Sequence, residues 1–227
     1  MTIDNDDLLN SILASLDRIE YISPDDIPNI ELYMDQVTTF MDNKLRSTSR
    51  YPGEDKILTK TMINNYAKND LLPPPVKKKY SKEHVLLLIF IYYYKGILSI
   101  NDIQTLLKPI TERFFRNNPE YNLENIYREA FGMEKGQIEA LKADVTEKFK
   151  AAEQTFEDAP EESRDFLRKF AFICTLSFDV YVKKLMIEKM VDQLSREWDV
   201  SGEKTEGKKK EKAHKEENKK DGGQDEG

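Results

Sequence analysis

Apolar residues recur at spacings of three and four along most of this chain, a pattern that predicts a protein built from helices. Leu8, Leu9, Ile12, Leu13, Leu16 and Ile19 share one face of a first helix, and Asp4, Asp6 and Asp7 supply an acidic start suited to its N-terminus. Pro24 and Pro28 interrupt the chain before a second helix over 31–45, where Leu32, Met34, Val37, Phe40, Met41 and Leu45 form an apolar side. Residues 46–58, RSTSRYPGEDKIL, hold turn formers and no period, and are expected to loop. A short helix over 59–69 gathers Met62, Ile63, Tyr66 and Ala67 in one arc and Lys60, Thr61, Asn64, Asn65 and Lys68 in the opposite one. It ends at NDLLPPP. Ser81 is placed to cap KEHVLLLIFIYYYKG, which is apolar almost all round and so expected at the centre of the fold. Ser99 is placed to cap a helix with Ile100, Ile103, Leu106 and Leu107 on one face, expected to stop at Pro109.

The second half continues the period. LENIYREAFGM forms a short element, and Ile138, Leu141, Val145, Phe149, Ala152 and Phe156 line a longer one. Pro160 separates that from a long apolar-rich helix beginning at EESRDFLRKF. From Ser201 onward the chain has no large apolar residue and cannot bury enough surface to offset its ordering entropy, so residues 201–227 are expected to form a disordered charged tail.

Composition narrows the chemistry. Five of the nine glycines fall after residue 201, leaving Gly53, Gly96, Gly132 and Gly136 for the body. Neither a phosphate-cradling loop nor a dinucleotide fingerprint can be written from those four positions, and tight hairpins, which also depend on glycine, are not expected. A single cysteine, Cys174, excludes an internal disulfide, and no charged-then-apolar leader opens the chain, so a cytoplasmic location is expected. Charged residues interrupt every apolar run before 18 positions, and no membrane span is expected. Cys174 lies in FAFICTLSF and is expected to be buried and inert; His84 and His214 are too few for a structural zinc site. No catalytic constellation, metal or cofactor is expected, and the chain is not expected to be an enzyme.

Charge is unevenly distributed. The whole chain has a formal charge of -7, yet over residues 60–95 Lys60, Lys68, Lys77, Lys78, Lys79, Lys82 and Lys95 stand against only Asp70 and Glu83, a local +5. Screening over about 8 Å at physiological salt keeps distant carboxylates from cancelling this field. Asparagine can pair in bidentate fashion with adenine, and lysine and threonine serve phosphates or guanine edges, so the polar arc of 59–69 has the composition of a nucleic-acid-reading helix.

LTKTMINNYAKNDLLPPP followed by YSKEHVLLLIFIYYYKGILSINDIQTLL resembles the DNA-binding domain of the MerR family of transcription regulators, with its leucine-proline turn, its YS before an acidic residue and its closing G-x-L-S-I-x-x-I-x-x-L-L. Through IPNIELYMDQVTTFM and the same core the chain also resembles a bacterial domain-of-unknown-function family from Gram-positive organisms. The resemblance covers roughly residues 31–110 and implies a MerR-like winged helix-turn-helix domain there; with the periodicity on either side the expected fold is all-α, an N-terminal helix (1–30) packing on that domain (31–110), then a C-terminal helical hairpin or bundle (111–200) and the disordered tail. It implies double-stranded DNA as partner and 59–69 as recognition helix, with Asn64 and Asn65 reading bases. Lys60, Thr61 and Lys68 would flank them, and Lys77, Lys78 and Lys79 would contact phosphates. The link from Leu72 to Tyr80 is shorter than a full wing, so those lysines are expected as a short basic arm. The C-terminal helices are a candidate homodimer surface. A protein-interaction module on the same scaffold, without DNA binding, is the alternative.

Overall fold

The computed structural model describes residues 5–17, 21–51, 53–116, 120–133 and 137–221, with side chains described between Asp7 and Trp198. Among these residues the elements run α1 (Asn5–Leu16), β1 (Leu32–Tyr33), α2 (Met34–Leu45), α3 (Lys60–Lys68), β2 (Lys79–Tyr80), α4 (Lys82–Tyr94), α5 (Ile100–Phe114), α6 (Leu123–Gly132), α7 (Ile138–Glu153) and α8 (Glu161–Asp221). The architecture is all-α apart from one two-residue ladder. Among the described residues no helix is long and apolar enough to cross a membrane.

Helix α4 is the axis of the first core. Val85 to Ile91 are all buried, so each side of the helix has a neighbour, which is what its apolar circumference requires. The ends of the surrounding helices are set locally. At α5, Ser99 Oγ accepts the Asp102 N–H at 3.2 Å while Asp102 Oδ2 accepts the Ser99 N–H at 3.1 Å. Asn122 and Asn125 exchange the same pair of bonds at the start of α6. Tyr127 drives its hydroxyl through this core to the Ile22 carbonyl, 2.8 Å away. The core therefore begins at Ile22 and closes at Tyr127, wider than the 31–110 limits expected from sequence.

Pro109 does not end α5, which continues to Phe114. A proline inside a helix forfeits one backbone hydrogen bond and costs about 3 kcal/mol. Burial on both sides offsets this: Ile103 and Leu107 are enclosed before it, and Ile110 packs on the same core after it.

A second core joins Val145, Phe149 and Ala152 of α7 to Phe172 of α8, with the Phe149 and Phe172 rings edge to face at 5.2 Å. Helix α1 belongs here. It was expected on the 31–110 domain, but Leu9, Ile12 and Leu13 pack with α7 and α8, because α7 presents the apolar stripe they complement. Asp17, just beyond α1, pairs with Lys142. Farther along, α8 returns to the first unit: Ile187 packs on its core, Val191 is buried, and the Arg113 guanidinium of α5 lies 4.3 Å from the centre of the Trp198 ring.

Cys174 is exposed, contrary to its expected burial. Helix α8 turns Phe172 to α7, and a residue two positions on lies about 200° round the helix, on the open side. The expected tail from residue 201 falls where side chains lie outside the described residues, and residues 222–227 lie outside them altogether; the α8 backbone is described to Asp221.

Candidate nucleic-acid interface

Helix α3 starts where Thr59 Oγ1 accepts the Met62 N–H at 3.1 Å. Ile63 and Tyr66 are buried, as the arc over 62–67 predicts, and burial raises the Tyr66 phenol above its ordinary pKa. With those two residues fixed inward, Lys60, Thr61, Asn64, Asn65 and Lys68 are all exposed on the outer face. The helix ends because Asp70 takes a left-handed conformation at φ 55 and the Leu71 N–H folds back to the Tyr66 carbonyl at 2.9 Å. This is the bond that closes a Schellman turn, and both residues it joins are buried in the first core. Leu71 and Leu72 are enclosed in the first core, so they anchor the C-terminal end of α3.

The three prolines lead from this anchor to a tight turn. Lys77 and Lys78 have φ 49 and 64, and the Lys79 N–H donates to the Val76 carbonyl at 2.9 Å. Two successive left-handed residues between Val76 and Lys79 make a type I′ turn, a conformation that favours Asn-Gly and that lysine adopts only at a cost. Beyond it β2 pairs antiparallel with β1, Leu32 opposite Tyr80 and Tyr33 opposite Lys79.

The basic arm expected at Lys77–Lys79 is therefore a hairpin turn joined to a ladder. Lys77 and Lys78 project from its tip, exposed. Lys79 is half-buried, with Nζ 5.5 Å from the centre of the Tyr33 ring, and its backbone belongs to the ladder. The physical reason is the strand register, which makes residues 79 and 80 part of a sheet with residues nearly fifty positions earlier.

Two sequence-distant side chains complete the surface and were missed. Asp35, at the start of α2, pairs with Lys60, so this lysine already has a carboxylate partner. Tyr33 covers Lys79. Neither sits in a motif of its own; only the apposition of β1 with β2 and of α2 with α3 reveals them. A third is His84. Its Nδ1 accepts the Ser81 backbone N–H at 2.9 Å, which places the proton on Nε2, and the ring is fully buried. Desolvation, then the nearby Arg116 charge, lowers its pKa to about 4. Neutral His84 thus fixes the junction between the hairpin and α4.

Residues 22–130, just under half of the chain, match the family described as Domain of unknown function (DUF1836). The match is nearly coextensive with the first core, which runs from Ile22 to Tyr127, and so contains α3, the lysine turn and their supports. No curated protein and no solved structure matches the chain.

Proposed function

We propose that the protein is a DNA-binding transcription regulator that uses α3 as a MerR-like recognition helix and the Lys77–Lys78 turn as a phosphate contact. The observation that carries this proposal is the turn itself. Two lysines occupy left-handed positions that Asn-Gly would fill with less strain, and an unfavourable backbone held by its surroundings is a feature of functional sites. Beside it, α3 offers Thr61, Asn64, Asn65 and Lys68 to solvent on one face, donors and acceptors suited to base edges and phosphates. In this assignment Asn64 and Asn65 read bases, Lys68, Lys77 and Lys78 contact phosphates, and Lys60 and Lys79 position the surface from their partners Asp35 and Tyr33.

Dimerisation through α8 is the second part of the proposal. Phe166, Phe170, Ile173, Ser177 and Val180 step by four and three residues along its open side, the seam of a coiled coil, and all are exposed. With Phe178 and Tyr181 beside them, the exposed fractions amount to roughly 700 Å² of apolar surface, near the ~800 Å² per partner of a standard stable interface. A second copy of this chain is the partner whose surface is certain to match it in composition.

The test is a salt-dependent gel shift of the full chain on duplex DNA taken from a library enriched by the protein. Retention that weakens with salt, and an Asn64→Ala/Asn65→Ala variant that loses preference for the enriched sequence before it loses affinity for random duplex, are expected. Absence of retention at 50 mM salt would leave the protein-interaction alternative, which the α8 seam then favours.

A further inference from the structure

On the side of the first core where α4 ends, a cleft of about 910 Å³ opens between Ser15 of α1, residues 47–50 and 55–57, and residues 92–96. Its volume lies in the range of small-molecule sites. Its lining carries Arg50, Lys56 and Lys95 against one carboxylate, Asp55. That carboxylate is engaged on its own wall, accepting the Ser49 hydroxyl at 2.5 Å and the Tyr51 N–H at 3.1 Å. The hydrogen bond from Ser49, then that from Tyr51, holds its pKa below the ordinary carboxylate value. An acidic chain has here gathered a cationic recess.

Apart from Ile57 and Gly96, the remaining lining is ring and hydroxyl. Tyr21 and Tyr93 stand with ring centres 4.8 Å apart, and Tyr92 shares a 3.0 Å hydrogen bond with Thr48. Lys95 donates to the Ile57 carbonyl at 2.9 Å and lies 4.7 Å from the centre of the Tyr92 ring, so its ammonium is held in place at the recess, and desolvation lowers its pKa. An ammonium has three donors, and a ligand oxygen can take one that these contacts leave. One held cation, two exposed ones, tyrosine rings and hydroxyls in one cleft match an anion that carries both a phosphate and a ring.

We propose that this cleft binds a nucleoside phosphate, with Arg50, Lys56 and Lys95 taking the phosphate and the tyrosine wall taking the base. The segment that forms its floor runs directly into Thr59, the cap of α3, and Lys95 grips that segment at Ile57. Occupancy therefore bears on the helix assigned to DNA, and by linkage any effect on DNA affinity is returned as an equal effect on nucleotide affinity. Only this coupling rests on the DNA-binding proposal; binding itself is measured without DNA.

The experiment is calorimetric titration of the full chain with AMP, GMP, CMP and UMP, with the corresponding nucleosides and inorganic phosphate as probes of each half of the ligand. Saturable binding of at least one nucleotide with a Kd of about 100 µM or tighter is expected, at least about tenfold stronger than its nucleoside or inorganic phosphate. Arg50→Ala/Lys56→Ala, at two exposed positions, should weaken it about tenfold with the melting temperature unchanged. No saturation by any of the four nucleotides below about 1 mM, equal binding by the double variant, or equal binding of inorganic phosphate would each overturn the proposal. A chain that binds a nucleotide through Arg50 and Lys56 but retains no DNA keeps the site and loses only the regulator assignment.

Discussion

Replacing Lys77 and Lys78 together by Asn and Gly separates what the turn costs from what it does. At φ 49 and 64 both lysines hold a Cβ against the following carbonyl, a penalty of about 1–2 kcal/mol per residue. Asparagine tolerates this region and glycine has no Cβ to clash, so both penalties largely vanish. Glycine also loosens the unfolded chain, which returns about 0.5–1 kcal/mol. The net expectation is a gain of about 1–3 kcal/mol, read as a rise of roughly 2–12 °C in melting temperature for a chain of this size. DNA binding should move the other way. Two fewer phosphate contacts lower the slope of log K against log salt by about 1.8, which at 0.15 M salt is a loss of roughly thirtyfold. Lys77→Arg/Lys78→Arg keeps charge and strain, and should match the parent in both assays. A double Asn-Gly variant that is no more stable than the parent would refute the strain. One that is more stable but binds duplex with an unchanged salt slope would refute the phosphate role.

Other perturbations probe the supports. His84 has a pKa of about 4 in the fold against about 6.5 when unfolded, so between these values the unfolded chain binds more protons and stability falls on acidification. From pH 7 to 4.5 the loss is about 2.5 kcal/mol; urea denaturation should show the pH dependence of His84→Gln to be shallower by about that amount, and equal slopes would contradict the assignment. Leu72→Ala removes a side chain that is 1 % exposed and should cost about 2–5 kcal/mol in the same assay. A loss below about 1 kcal/mol would mean that the anchor behind α3 is dispensable. Ile173→Glu puts a charge in the middle of the α8 seam and should convert a dimer to monomer by light scattering at micromolar concentration; a monomeric parent would sink the dimer outright.

What was legible in the sequence was local. The apolar circumference of α4 required burial on every side, and Val85 to Ile91 are buried. Ser99 reads as a cap from its own neighbourhood and caps α5 through a bond spanning three residues. The inward arc of α3 follows from a period of 3.6 and places Ile63 and Tyr66 correctly. The hairpin is different. Two residues of strand have no detectable period, and Lys77–Lys78 carry none of the glycine or asparagine that normally announces a type I′ turn, so the ladder was invisible until β1 met β2. Pro109 misled for a related reason: propensity expresses the loss of one hydrogen bond, while the compensating contacts of Ile103, Leu107 and Ile110 belong to the tertiary core.

The same distinction governs the candidate site. The outer face of α3 is a consequence of where its inner face goes, and could be assigned residue by residue from a helical wheel. Its electrostatics could not, because Asp35 pairs with Lys60 from another helix and Tyr33 lies beside Lys79 from another strand. Of the lysines assigned to DNA, Lys68, Lys77 and Lys78 are therefore the ones expected to set the salt dependence. Lys60→Ala should change the slope by much less than one phosphate's worth, about 0.9, because binding must first break its pair with Asp35. If Lys60→Ala instead lowers the slope as much as Lys68→Ala, the Asp35 pair opens freely on DNA and the recognition surface extends to the N-terminus of α3.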